Sequence, residues 1–363
     1  MATNHPATPA TSMRWSGEVR LNAALSGSGN ALNSLRLGLA LLVIVAHTIP
    51  ISGIEWLAWV ERLGPWAVLG FFVISGYLIA GSRLRSSWWS YVIRRVARIY
   101  PGYWVQLLVV ALMLAPLATW LGASTWSWGA ALDYVVGNAS TFRMQYLLEG
   151  TVFPHHDAWN GSAWTLMYEL LAYAGCLLVF SIPWCRRHVV ASSAAILIAL
   201  IAFTIAAPVL DVTTSLYLNA AHLGSYFAAG MLAYGLRERL LVTWRLTTMA
   251  MILVILLFMV PGGDRVAQLP VAYAVLALGA LAPLRIGVRH DLSYGTYIYA
   301  FPVQQVVAMT GAQGWIHLLI STLVTLVFAW ASWRLVEQPS MQGSRVLISW
   351  IRDCRGQVAA ARV

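Results

Sequence analysis

Ten apolar stretches punctuate this chain, each about the length that crosses a bilayer as a helix and each bounded by polar or turn-forming residues. They run over roughly 34–52, 65–81, 101–119, 162–182, 189–207, 219–236, 246–261, 269–284, 293–311 and 315–336. The seventh and eighth are short, and Pro261-Gly262-Gly263-Asp264 marks a turn between them. The pattern predicts an all-α fold: a polytopic integral membrane helical bundle of about ten transmembrane helices. Residues 1–33 are rich in Ala, Thr, Ser, Gly and Asn without periodicity, which predicts a disordered cytoplasmic N-terminal tail. The first apolar core comes late, is long and lacks a clear small-residue cleavage site, so a signal peptide is not expected. The membrane domain is read as 34–338, followed by a cytoplasmic tail over 339–363.

Composition agrees. Hydrophobic residues make up 60% and charged residues 10% of 363, with mean hydropathy +0.70, which excludes an ordinary soluble domain. The net charge of +10 is carried by Arg alone, since the sequence has no Lys. Its location gives orientation. Arg14, Arg20 and Arg36 precede stretch one, and Arg83, Arg85, Arg94, Arg95 and Arg98 lie between stretches two and three. Arg186 and Arg187 follow stretch four, Arg237, Arg239 and Arg245 follow six, and Arg285 and Arg289 follow eight. Arg334, Arg345, Arg352 and Arg355 lie at or beyond the tenth, while the alternate loops hold only Arg62, Arg143 and Arg265. The positive-inside rule then predicts both termini in the cytoplasm. With no basic run set among soluble aromatic platforms, nucleic acid is not an expected partner. Many of the 18 Trp, such as Trp88, Trp89, Trp126 and Trp128, fall near stretch ends as an aromatic belt would.

Ionisable groups inside apolar stretches are costly and are read as a site. Arg36 and His47 are eleven residues apart, three helical turns plus about 20°, so they share one face about 16 Å apart along the axis. Glu169, in the fourth stretch, lies at a depth similar to that of His47. A carboxylate at that depth can orient the ring and raise its basicity for general-base work; a purely structural His–Glu or Glu–Arg pair fits equally. Arg94 and Arg98 are one turn apart, with Arg95 on another face. Such a cluster can grip phosphate bidentately or be a plain positive-inside stripe. In Gly70-Phe71-Phe72-Val73-Ile74-Ser75-Gly76-Tyr77, small residues among bulky ones predict close helix approach. The segment 120–161 mixes Trp126, Trp128, Asp133, Tyr134, Arg143, Gln145, Glu149, His155, His156, Asp157, Trp159 and Asn160. That mixture suits contact with a sugar or an interfacial amphipathic stretch. Cys176, Cys185 and Cys354 form no disulfide or metal pattern, and His155 and His156 lack a third ligand at metal-like spacing, so no metal is expected.

Five segments in order resemble the acyltransferase-3 family of integral membrane acyltransferases, which includes bacterial polysaccharide O-acetyltransferases. They are Leu35-Arg36 followed by His47 after ten intervening residues, the Gly70–Tyr77 segment, and Arg94-Arg95-Val96-Ala97-Arg98-Ile99-Tyr100-Pro101. Ser162-Ala163-Trp164-Thr165-Leu166-Met167-Tyr168-Glu169 and Ser293-Tyr294-Gly295-Thr296-Tyr297-Ile298-Tyr299 complete the set. The likeness covers about residues 31–340. The family often carries a His two residues after the Tyr that closes the last segment's core; here the neighbourhood reads Tyr299-Ala300-Phe301-Pro302, with no His in it. The resemblance implies an enzyme moving an acyl group, acetyl in the usual case, from cytoplasmic acyl-CoA to a hydroxyl of a cell-surface or exported glycan, in the bacterial inner membrane. It implies no bound cofactor, with acyl-CoA as co-substrate. His47 is then expected as general base or acyl relay with Glu169 as its partner, and Arg36, Arg94, Arg95 and Arg98 as the acyl-CoA phosphate site. Ser75, Tyr77, Trp164 and Tyr168 are expected to line it. The competing class is a proton-coupled transporter or flippase of a glycan or lipid-linked intermediate, which buried His, Glu and Arg suit as well; no internal repeat relates the halves. The acceptor and the oligomeric state are left open by the residues.

Overall fold

Every apolar stretch is helical in the computed structural model, which describes residues 19–27, 29–53, 58–122, 125–155, 157–284, 286 and 290–360, with backbone alone at 58 and 355–360. A strand β1 (Val19–Arg20) and a short helix α1 (Leu21–Leu25) precede α2 (Leu32–Ser52), α3 (Leu63–Leu84) and α4 (Trp88–Val109). A π turn over Val110–Leu114 joins α4 to α5 (Ala115–Trp120), and α6 (Trp128–Asn138) follows. Next come α7 (Trp164–Val179), α8 (Pro183–Arg187), α9 (Val189–Ala206), α10 (Ser215–Leu236), β2 (Leu241–Val242) and α11 (Trp244–Met259). The chain closes with α12 (Gln268–Leu281), α13 (Ser293–Met309), α14 (Gly314–Ser332), a π turn over Trp333–Glu337, and α15 (Gln338–Ala360). Five helical runs among the described residues are long and apolar enough to cross a membrane: Leu32–Ser52, Trp59–Leu84, Trp88–Trp120, Val189–Ala206 and Gly314–Cys354. Trp164–Val179, Trp244–Met259 and Gln268–Leu281 are apolar but shorter. This is an all-α membrane protein.

Local chemistry sets the helix ends. Gly53 (φ 69°) closes α2 in the left-handed conformation and returns its N–H to Ile49 O. Ser127 caps α6 by accepting from Ala130 N, and Thr243 caps α11 by accepting from Leu246 N.

The N-terminal tail differs from its reading as disordered chain. From Val19 onward the N-terminal stretch is docked. Val19 and Arg20 pair antiparallel with Val242 and Leu241, Leu21 N–H donates to Leu240 O at 2.8 Å, and Leu21 is buried. One apolar residue and a free strand edge suffice to hold it, and composition does not register so few contacts. The remainder of that stretch, 1–18, lies outside the described residues, as do Arg14, His156, Arg285 and Arg289. On the C-terminal side the helix runs on from the last apolar stretch through α15, packed on α4.

Two parallel helix pairs position the site. In the first, α3 crosses α10 at glycines: a Cβ on Gly76 would lie 2.0 Å from Phe227 O, and one on Gly230 would lie 2.2 Å from Val73 O. Only glycine permits that approach, as the Gly70–Tyr77 segment predicts. In the second, α2 and α13 run side by side in one direction. Gln304 Nε2 donates to Ile44 O at 2.9 Å and to Thr48 Oγ1 at 3.0 Å, and His47 meets Phe301 edge-on at 5.0 Å between centroids. These buried amide bonds fix the axial register of the pair.

Candidate active site

Two arginines and two carboxylates meet where α2, α4, α13 and the π turn before α15 converge. Asp291, in the turn preceding α13, accepts from Arg36 Nη1 at 2.8 Å and from Arg98 Nη2 at 2.6 Å through one oxygen, Oδ2. Its other oxygen accepts from Ser293 Oγ at 2.5 Å and Ser293 N–H at 3.3 Å. Arg98 also donates through Nη1 to Glu337 Oε2 at 3.0 Å, and Ser332 Oγ holds Glu337 Oε1 at 3.0 Å. The π turn supplies one residue more than an α-turn, at the point where Glu337 reaches in to Arg98, and Glu337 is 1% exposed. Arg98 further lies over the rings of Tyr294 and Trp333 at 5.5 and 5.9 Å. Burial opposes ionisation of Asp291, but the Arg36 and Arg98 guanidiniums beside it outweigh burial and hold its carboxyl well below the usual range.

Directly above this cluster, toward the middle of α3 and α7, lies a cavity of about 100 Å³. Arg36, Arg95 and Arg98 line one side, and Ser75, Glu169 and Tyr173 line another. Glu169 Oε1 accepts from Ser75 Oγ at 3.2 Å and from the Tyr173 hydroxyl, one helical turn on. Arg95 faces the Tyr173 ring at 5.9 Å and makes no ion pair among the described residues. It is the cavity's uncommitted cation, because Arg36 and Arg98 are already neutralised by Asp291 and Glu337.

The structure therefore gathers Arg36, Arg95, Arg98, Glu169 and Ser75 and leaves the other expected residues elsewhere. Arg95 and Arg98, three apart, share the cavity face, while Arg94 does not line it and is turned toward the α15 side near Arg352. Both i,i+3 and i,i+4 spacings share a face, and packing chose the former. His47 lies farther along α2 against Phe301 and does not line the inner cavity. Glu169 is bonded to Ser75 and Tyr173, not to His47. Equal depth along two helices does not make them neighbours, and α3 packs against both α2 and α7. Trp164 and Tyr168 contact one another at 5.5 Å, the Tyr168 hydroxyl accepts from Asn219, and neither lines the cavity. Tyr77 faces Tyr234 on the opposite flank of α3.

Sequence reasoning missed Asp291, Glu337 and Tyr173. Signals existed: Asp291 stands two residues before Ser293 at a helix start, Tyr173 is four residues after Glu169, and Glu337 is a lone acid closing the tenth apolar stretch. Among the described residues no cluster of His, Cys, Asp and Glu could hold a metal, and the three cysteines are free.

Fold and site together define a helical membrane protein with a charged, arginine-lined cavity sunk among its helices. The chain belongs to the acyltransferase-3 family, whose acyltransferase-domain model matches residues 30–334, and it is accordingly a membrane acyltransferase. It is similar to a protein named O-acetyl transferase from Shigella phage Sf6, 30% identical over 331 residues covering 85% of this chain and 95% of the relative. It is also similar to Nodulation protein 10 of Rhizobium leguminosarum bv. viciae, 26% identical over 356 residues, 88% of this chain and 95% of that one. No solved structure matches.

Proposed function

We propose that this protein transfers an acetyl group from cytoplasmic acetyl-CoA to a hydroxyl of a cell-surface or exported glycan, in the bacterial inner membrane. The observation that carries this reading is Arg95, a cavity-lining guanidinium with no carboxylate partner among the described residues, set between neutralised arginines and the Glu169–Tyr173 pair. The donor's carbonyl oxygens are held there by charge-assisted bonds from Arg95, with Arg36 and Arg98 fixed at its sides. The name of the phage relative, O-acetyl transferase, supports acetyl as the group moved and oxygen as its destination.

The thioester arm then extends along the Arg36 face of α2 toward His47. His47 removes the proton of the acceptor hydroxyl as it attacks the thioester carbonyl, and CoA leaves as thiolate that regains a proton. In the relay variant the imidazole takes the acyl group first and passes it to the acceptor. Glu169 acts through Tyr173 and Ser75 on the donor side of the cavity. The ten apolar helices as ten crossings, with both termini cytoplasmic, put Arg95 at the inner edge and His47 toward the outer one.

The test is purified protein in nanodiscs with radiolabelled acetyl-CoA and deacetylated surface polysaccharide. Label should move to the glycan with stoichiometric release of free CoA, and His47→Ala should stop it while still binding CoA. Glycan movement across the bilayer without CoA release would instead identify a transporter.

A further inference from the structure

A second pocket, of about 250 Å³, opens on the other flank of α3, beside the docked N-terminal segment. Arg85 and Arg237 both lie over the Tyr234 ring, their guanidinium carbons 6.0 and 4.2 Å from its centroid. Arg85 Nη1 donates to the Tyr234 hydroxyl at 3.2 Å and has no carboxylate partner among the described residues. Among the described residues the one ion pair of Arg237 is with Glu238 at 3.1 Å, whose side chain is 65% exposed, while Arg237 Nη1 donates to Tyr234 O at 2.9 Å; an incoming anion displaces the Glu238 contact at little cost. Tyr77, edge-on to Tyr234 at 5.5 Å, and Asn22 and Ser26 of the N-terminal segment complete the walls. Two available guanidiniums, two aromatic rings and small hydrogen-bonding groups are what a phosphorylated purine nucleoside requires.

The pocket is not isolated. Leu78 lines both it and the cavity of Arg95 and Glu169, and this side chain is 41% exposed at their common rim. A ligand with an anionic nucleotide at one end and a slender arm at the other can fill both by passing over Leu78.

We propose that Arg85, Arg237, Tyr77 and Tyr234, roofed by Asn22 and Ser26, form the subsite for the 3′-phosphoadenosine diphosphate half of the acyl-CoA donor. The proposal rests on the acyl-CoA reading above. It divides the donor between two pockets: phosphates and adenine outside Leu78, pantetheine arm inside it beside Arg95. The N-terminal segment is thereby a wall of the donor site, which explains why so short a stretch is pinned by strand pairing to β2. An anionic lipid headgroup shares the phosphate chemistry but has no use for the continuity across Leu78.

The experiment uses the full chain in phosphatidylcholine nanodiscs, with calorimetric titration of CoA and of adenosine 3′,5′-bisphosphate. The bisphosphate should bind wild type and compete with CoA. The Arg85→Ala/Arg237→Ala double variant should bind both ligands at least tenfold more weakly, with CoA loss steepest at low salt. Arg95→Ala should weaken CoA and leave the bisphosphate unchanged. Leu78→Trp, which plugs the shared rim and changes no charged group of either pocket, should keep bisphosphate affinity and lose acetyl-CoA turnover, a readout that stands even where the double variant fails to fold. Undiminished CoA and bisphosphate affinity in the double variant would overturn the subsite while sparing the donor reading. So would a double variant that loses only phosphatidylglycerol binding. A wild type that binds no CoA would overturn the donor reading, and the subsite with it.

Discussion

Arg36 is tied to Asp291 by a 2.8 Å ion pair that joins the start of α2 to the turn before α13. The same Asp291 oxygen also holds Arg98 of α4, so one carboxylate locks three segments together at the inner end of the cavity. The arginines that look most like donor-binding groups by spacing are thus partly structural.

Removing that carboxylate leaves Arg36 without its counter-ion and Arg98 with Glu337 alone. Asp291→Asn should cost about 3–5 kcal/mol of stability, read as a large fall in melting temperature in detergent. Asp291→Glu, which keeps the charge, should recover part of it. A melting temperature unchanged in Asp291→Asn would mean that the cluster contributes little.

The same group sets an acid limb. Its folded carboxyl titrates below its unfolded value of about 4, so its contribution is full above that value and is lost as pH falls through the folded one. Between about pH 8 and about pH 5 the melting temperature should be flat with respect to Asp291. Below that range wild type should fall more steeply than Asp291→Asn, and melting curves of the two proteins across the range check it.

Arg95 and Arg98 should separate binding from stability. Arg95→Ala should raise the acyl-CoA dissociation constant about 10- to 150-fold, the effect of one lost charge-assisted contact of about 1.5–3 kcal/mol, without lowering the melting temperature. Arg98→Ala should lower the melting temperature, because it strands the nearly inaccessible Glu337 and leaves Asp291 with Arg36 alone. Titration and melting of the two variants side by side give the answer.

Glu169 and Tyr173 should act as one unit. If they do, Glu169→Gln and Tyr173→Phe will each slow transfer, and the double variant will be little slower than the worse single one. His47→Ala, by contrast, should lower the rate about 10²–10⁴-fold, and its effect should multiply with either. Additive logarithmic losses at 169 and 173 would break the unit.

Gly76→Ala places a methyl 2.0 Å from Phe227 O, so α3 and α10 must separate. Overpacking of this kind costs about 1–3 kcal/mol and here acts on two backbones at once. A lower melting temperature with looser Glu169–Ser75 geometry, seen as reduced turnover, is the expected result.

The helices were legible because apolar length is a one-dimensional property, and so was the glycine crossing, because Gly76 sits among bulky neighbours. Arg36, Arg98 and Glu169 were legible as costly charges in apolar surroundings. Asp291 and Glu337 were not, because a carboxylate at the end of a stretch looks like any loop charge until its arginine is known. The assignment of Glu169 to His47 failed for a related reason: helical rise gives depth, while neighbourhood depends on α3 lying against both helices. Arg95 in place of Arg94 was decided by helix rotation, which spacing alone leaves free.

The parallel pairing of α2 with α13 also carries a consequence for biosynthesis. Arg36 leaves the ribosome early, whereas Asp291 and Glu337 are made only near the end of translation. For most of its synthesis the nascent protein thus holds Arg36 and Arg98 in the lipid without their acids. A chain stopped before Asp291 keeps those charges unanswered, a difference in charge pairing that separates it from the finished protein.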